Sequence, residues 1–462
     1  MELNSENGLT IFIEKKGVWN GVFMVDYLKN SNKHFLVKIS SYYFAATILL
    51  IAGNKTVTEL FLLLGEKKFG ILSNERIISL LFILLIITSI IVLNKKLIIT
   101  KRTIIAFYYV LTIFLSLFIL SFLNNFGFEK FVHEIFYYYW IVLFFVIYGF
   151  KLNFIEEELV KKFFVVYILS QCVLGIAQYV LRKPFVITTY NGEPLLNTIY
   201  YLNGQSSAND ILYYMGAQVR AFGLTDSGLT LGLFALLLFS CHFYQIFSKN
   251  IWRKFTNFLI LIVTIISCYM TITRNIYLTA FFMIIILMFL KTINDSKIKL
   301  VKFIYITMII LNFLFVTSAE RYISFISAKF VSINFSSLFS RAYGYQEVFN
   351  RINFDLMHFL FGSGILPSRE LYIDNDFLFV FSDVGIYIYI VIQVIYIRIL
   401  FKGLNGLVNK KYNSYFIKGL IAFLLTYPFA SLINAVVYLY FPVAILVYAL
   451  LLNIDKKNVE TN

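Results

Sequence analysis

Apolar runs of roughly 17 to 25 residues recur along nearly the whole chain, and that is the length a helix needs to cross the hydrocarbon layer of a bilayer. A soluble core has no room for so many. The 462 residues are 60% hydrophobic and 14% charged, with a mean hydropathy of +0.79, whereas an ordinary soluble domain is near half apolar and about a quarter charged. In lipid every backbone polar group must be satisfied within the protein, so only helices or a closed barrel can span. A barrel would show segments of about ten residues with alternating polarity, and the sequence has none. The fold class is therefore all-α, a polytopic transmembrane helix bundle. Apolar length gives about twelve spans, near 36–53, 77–93, 103–123, 132–150, 163–181, 224–246, 255–271, 275–290, 301–318, 376–400, 415–431 and 436–452, in a single transmembrane domain over 1–462.

A formal net charge of +15 raises the question of nucleic-acid binding, which the placement of the basic residues answers. They lie mostly in short loops between apolar runs, which is the positive-inside pattern and excludes a nucleic-acid partner. With the N-terminus inside, most of the 40 Lys and Arg fall in the inner segments, among them Lys95, Lys96, Lys161, Lys162, Arg253, Lys254, Lys297, Lys299, Lys410 and Lys411. Both termini are then cytoplasmic. The first 35 or so residues hold no apolar h-region, so the expectation is insertion into a bacterial inner (plasma) membrane through the first span, without a cleaved signal. Cys172, Cys241 and Cys268 fall inside apolar runs without paired spacing and read as small core residues.

Two outer loops are long. One covers 182–223, the other 318–375, far beyond the usual connection length. They carry mostly arginine, at Arg182, Arg220, Arg321, Arg341, Arg351 and Arg369, against the insertion bias, and so call for another reason. Within the larger loop, 323–339 and 342–361 carry apolar residues at helical spacing and are expected to form short amphipathic helices on the membrane surface.

Three clusters can carry chemistry. In Arg220-Ala221-Phe222-Gly223-Leu224-Thr225-Asp226, an arginine fork beside a glycine could grip a phosphate or carboxylate bidentately; the competing reading is a helix cap with a snorkelling arginine. Arg274, between Thr273 and Asn275, has almost no loop around it, and a cation there needs an aqueous cavity or a partner unless it snorkels. The third comprises Arg341, Arg351, the turn Gly362-Ser363-Gly364, and Asp374-Asn375-Asp376. That turn would deliver Asp374 and Asp376 to the start of the next span, the alternative being a solvated loop. His133, Glu134, Tyr137, Tyr138, Tyr139 and Trp140 look like an interfacial aromatic belt. Glu156-Glu157-Glu158 beside Lys161-Lys162 reads as a solvated inner face. No phosphate loop, HExxH or Ser/His/Asp spacing is present.

Taken in order, Arg220-x-x-Gly223, Arg274 between two spans, an outer loop with Arg341 and Gly362-x-Gly364, then Asp374-Asn375-x-Phe377-Leu378 leading to Gly385, this set resembles the O-antigen polymerase/ligase superfamily, the Wzy-type polysaccharide polymerases and their ligase relatives. The likeness covers about 190 residues plus the overall layout. It implies metal-independent and cofactor-independent glycosyl transfer on the outer face, from undecaprenyl-diphosphate-linked glycans. It also implies membrane lipid, a chain-length regulator and a flippase as partners. The family's outer arginines map to Arg220, Arg274 and Arg341, whose guanidinium groups would stabilise a departing diphosphate. Asp374 joins them as a catalytic candidate; Asp374, Asp376 and Glu347 all remain open as the group taking the acceptor proton. Gly223, Asp226, Arg351, Gly362, Gly364, Asn375 and Asp376 form the expected substrate-binding set. Ligases commonly place a His-Asn pair where this chain has Asp374-Asn375, which favours a polymerase. A ligase-type transferase and a lipid-linked oligosaccharide flippase or transporter are the alternatives, the latter class tending to carry mid-span charges and inverted repeats.

Overall fold

Each apolar run contains a helix in the computed structural model of the chain. The structure describes residues 31–53, 56, 57, 60, 75–94, 101–123, 138, 140–150, 154–181, 188–190, 193–195, 220–247, 250–329, 343–348, 356–363, 375–409, 411, 412, 414–432 and 434–460. In chain order the helices are α1 (Ser31–Gly53), α2 (Glu75–Asn94), α3 (Lys101–Leu123), α4 (Trp140–Phe150) and α5 (Glu157–Leu181), then β1 (Thr188–Tyr190) and β2 (Glu193–Leu195). There follow α6 (Gly228–Phe243), α7 (Ile251–Met270), α8 (Arg274–Lys291), α9 (Asp295–Lys329), α10 (Leu356–Phe361), α11 (Asp376–Val408), α12 (Tyr415–Leu425), the single turn α13 (Tyr427–Ala430) and α14 (Val437–Glu460). Among the described residues, eight helices are long and apolar enough to cross a membrane, which marks a multi-pass membrane protein, and four shorter apolar helices lie at Ile77–Leu93, Thr103–Ile119, Ile141–Phe150 and Tyr415–Ala430.

The helices α6, α12 and α14 form the centre. α6 packs on α5, α7, α8 and α12, and α14 packs on α1, α4, α11 and α12. Side chains of α6 are buried almost all round, as expected of a helix enclosed by others. The crossing of α6 and α12 is close because Gly419 lies against the Cys241 and Ser240 backbone, the small-residue contact that favours helix association in lipid. Outer helices turn large apolar side chains outward, including Phe258, Ile265, Phe281, Ile285, Phe303 and Ile310. The three cysteines are free and buried. At the end of the bundle where α11 finishes, Lys402 and Lys411 each pair with Asp455 at 2.8 Å, and the Tyr412 hydroxyl donates to the same carboxylate at 2.9 Å.

Four expectations are corrected. First, the expected all-α fold includes a short antiparallel hairpin within 182–223, β1 pairing with β2 and Thr188 opposite Leu195. Second, α9 runs unbroken to Lys329, so the first part of 323–339 continues a long helix instead of starting a separate one; the apolar spacing of 323–329 extends the same helical register. Third, the run 376–400 is not one straight span. Gly385 sits inside α11 with φ 76° and ψ 175°, and the chain folds back there. The Phe377 and Tyr389 rings are 5.0 Å apart, edge to face, although they are twelve residues apart in sequence, which a continuous helix would separate by about 18 Å. Fourth, Tyr138 is not part of an interfacial belt: it is 1% exposed and its hydroxyl donates to Asp383.

Candidate functional site

The Arg220 loop is held in place by one helix face. Gln171 and Gln178 are seven residues apart on α5 and therefore share a face, and both are buried. Gln178 Nε2 donates to the Gly223 carbonyl at 2.7 Å, while its Oε1 accepts the N–H groups of Gly223 at 2.8 Å and Phe222 at 3.2 Å. Gln171 Oε1 accepts the Leu224 N–H at 2.7 Å. Gly223 has φ +62°, and a Cβ there would stand 2.8 Å from both the backbone carbonyl and the side-chain oxygen of Gln171. Only glycine allows this approach without strain. Ser227 caps α6 by accepting the Thr230 N–H, so Arg220 and Asp226 project from a fixed backbone at a helix entrance. Arg220 is half-buried.

The Arg274 turn abuts this loop. The Ala221 N–H donates to the Met270 carbonyl at 2.9 Å, and the Gly228 Cα faces Thr271, whose carbonyl a Cβ would meet at 3.2 Å. The turn itself is strained. Ile272 has φ +48°, a left-handed conformation rare for a β-branched residue and worth of order 1–3 kcal/mol, the kind of outlier that clusters at functional sites. The Thr273 hydroxyl donates to the Thr271 carbonyl at 3.1 Å, which braces the entry to α8. Arg274 is exposed at the first position of α8. Two arginine-bearing turns, distant in sequence, thus share one end of the bundle.

A third element closes against them. Asn275 Nδ2 donates to the Ala430 carbonyl at 2.9 Å, which ties α8 to the end of α13. Asn375 caps α11 through the Leu378 N–H at 3.1 Å, and its Nδ2 reaches Asn312 Oδ1 at 2.9 Å and the Leu432 carbonyl at 2.9 Å. Asp376 is fully buried; its Oδ1 accepts the Val436 and Val437 N–H groups at 2.6 and 3.0 Å. It therefore caps α14. Asn375 and Asp376 are framework residues of the site floor, not an open substrate surface.

The turn at Gly362 lies elsewhere than expected. Gly362, with φ +82°, packs on the fold-back of α11, where a Cβ would be 2.5 Å from the Asp383 carbonyl, and the Ser363 N–H donates to the Ser382 carbonyl at 2.8 Å. It clamps the end of α10 to Asp383–Gly385; the segment that joins it to Asn375 lies outside the described residues. Asp383 is fully buried, an ionisable group within an apolar span and hence a functional feature by default.

Arg220, Gly223, Asp226 and Arg274 are thus brought together, with Asn375 and Asp376 beneath and Gly362 at the neighbouring fold-back. Arg341, Arg351, Gly364 and Asp374 lie outside the described residues. Chemically, two arginines on abutting turns at a bundle end fit an anion such as a phosphate. Among the described residues no three His, Cys, Asp or Glu side chains converge as metal ligands. Comparison with protein-family models, with curated proteins and with solved structures gives no match.

Proposed function

We propose that this chain is a glycosyltransferase of the outer face of a bacterial inner membrane, a polymerase that joins undecaprenyl-diphosphate-linked repeat units into a surface polysaccharide such as O-antigen or capsule. In this reading the eight long and four shorter apolar helices make about twelve spans, with both termini cytoplasmic. The segments 182–223 and 318–375 then lie outside. The observation that carries the reading is the abutment of the Arg220 loop and the Arg274 turn, joined by the Ala221–Met270 hydrogen bond. A leaving diphosphate gains negative charge as the glycosidic bond breaks, and preorganised guanidinium groups stabilise it without reorganisation. An apolar groove of about 260 Å³ runs between α8, α9 and α12–α13, lined by residues including Phe282, Ile285, Met308, Pro428 and Phe429, and suits a polyprenyl chain. A chain-length regulator and a flippase are the expected partners.

The test is to incubate the purified protein in liposomes with a lipid-diphosphate-linked repeat unit, without nucleotide or added metal, and resolve the product by size. A ladder is expected, abolished by Arg220→Ala and Arg274→Ala and poorly restored by lysine, a point charge without the bidentate fork. Full activity of both alanine variants would remove the site.

A second reading draws on the fold-back in α11. Interrupted helices with buried polar groups also build transporter sites, and Asp383 and Asp376 are both buried in that segment. A lipid-linked oligosaccharide transporter would move the substrate across the bilayer at constant repeat length.

A further inference from the structure

We propose that Asp226 is the base that takes the proton from the acceptor hydroxyl; this rests on the polymerase reading above. Of the three acidic groups open on sequence grounds, Asp374 lies outside the described residues, and the structure removes Asp376; the buried Asp383 is removed with it. Asp376 is fully buried and its carboxylate is engaged in capping α14. Asp383, equally buried, accepts from Tyr138 and lies behind the Gly362 backbone. Neither can meet an acceptor sugar. Asp226 is half-buried and stands on the same loop as Arg220, two residues before the glycine that faces Thr271 and Thr273 of the Arg274 turn.

Its geometry is that of a positioned carboxylate. Oδ1 accepts the Thr230 hydroxyl at 2.5 Å and the Ser227 hydroxyl at 3.2 Å, and Thr230 is in turn 3.3 Å from the Tyr438 hydroxyl on α14. The Asp226 N–H donates to the Gly53 carbonyl of α1 at 3.3 Å. The side chain is thereby held in one orientation by two hydroxyls, and its backbone is tied to a different helix. A general base must be in hydrogen-bond reach of the proton it removes and must be fixed there. In the step, the acceptor O–H bond breaks and its proton passes to the Asp226 carboxylate as the oxygen bonds to the anomeric carbon. The bond from that carbon to the diphosphate oxygen breaks with its electron pair leaving on the diphosphate, which Arg220 and Arg274 stabilise. The proton then passes from Asp226 to water.

The experiment compares wild type, Asp226→Asn, Asp226→Glu and Asp226→Ala in the liposome assay, with binding of the labelled lipid-linked donor measured in parallel. General-base removal is expected to slow polymer formation about 10²- to 10⁴-fold in Asp226→Asn and Asp226→Ala while donor binding stays near wild type. Asp226→Glu retains partial turnover, and added formate restores part of the Asp226→Ala rate. A structural role would not respond to formate. Polymerisation by Asp226→Asn within about threefold of wild type overturns the assignment and leaves the polymerase reading intact. So does a loss that formate leaves unchanged and that tracks lost donor binding. A wild-type protein that binds donor but makes no polymer overturns both.

Discussion

Gln178 holds Gly223 from both sides, its Nε2 donating to the glycine carbonyl at 2.7 Å and its Oε1 accepting the glycine N–H at 2.8 Å. Both ends of the amide are used, so neither a carboxylate nor an alkyl group can replace it. Gln178→Leu leaves buried backbone groups without partners, at about 1–3 kcal/mol for each. We expect a lower melting temperature in detergent, and polymer formation reduced at least tenfold because the Arg220 loop loses its fixed backbone. Gln178→Glu keeps the acceptor and loses the donor, and should fall between. Thermal unfolding followed by tryptophan fluorescence, with the liposome assay alongside, checks both; an unchanged Gln178→Leu would mean that the loop is held by other contacts.

Gly362 and Gly385 meet backbone to backbone at the fold-back of α11. A Cβ on Gly385 would fall on the Leu360 carbonyl, and both glycines have positive φ. Alanine at either position meets steric overlap and left-handed strain together, which we expect to cost roughly 2–4 kcal/mol. The readout is the protease sensitivity of the segment around α10: Gly385→Ala should release it for cleavage in intact membranes. A variant as resistant as wild type would show that α10 is held independently of the turn.

Much of this was legible in the sequence, and the reasons for the rest are physical. Helices such as α7 and α8 fall close to the apolar runs 255–271 and 275–290, because span length is imposed by the bilayer and not by tertiary contacts. The fold-back of α11 was not legible, because Gly385 is one glycine in an apolar run and only the partner backbone of Leu360 shows why no side chain fits. Asp383 could have been noticed as a carboxylate inside the run 376–400. So could Gln171 and Gln178, two amides on one face of an otherwise apolar helix. The strain at Ile272 leaves no trace in residue type. Asp376 was readable as acidic and near a span, but its role in capping α14 depends on a contact sixty residues away in sequence.

That capping role gives Asp376 a different mutational signature from Asp226. An asparagine side chain keeps an oxygen acceptor for the Val436 and Val437 N–H groups and loses only the charge. A leucine leaves both donors orphaned in a buried position, at about 1–3 kcal/mol for each. We therefore expect Asp376→Leu to be poorly recovered from membranes and Asp376→Asn to be recovered with a modest fall in melting temperature. If Asp376→Leu proved as stable as wild type, the start of α14 would have to be satisfied by other groups.

The orientation of the bundle can be read with cysteine labelling, since Cys172, Cys241 and Cys268 are buried and give little background. Trp252, at the start of α7, is 77% exposed and Leu356, at the start of α10, is 71% exposed. Neither side chain packs in the core, so cysteine at either position should be tolerated. With α7 entering from the cytoplasm and α10 outside, a membrane-impermeant maleimide should label Leu356→Cys in intact cells, and Trp252→Cys only after the cells are opened. The reverse pattern would invert the bundle, carry the Arg220 and Arg274 turns to the cytoplasmic face, and remove a polymerase acting outside from consideration.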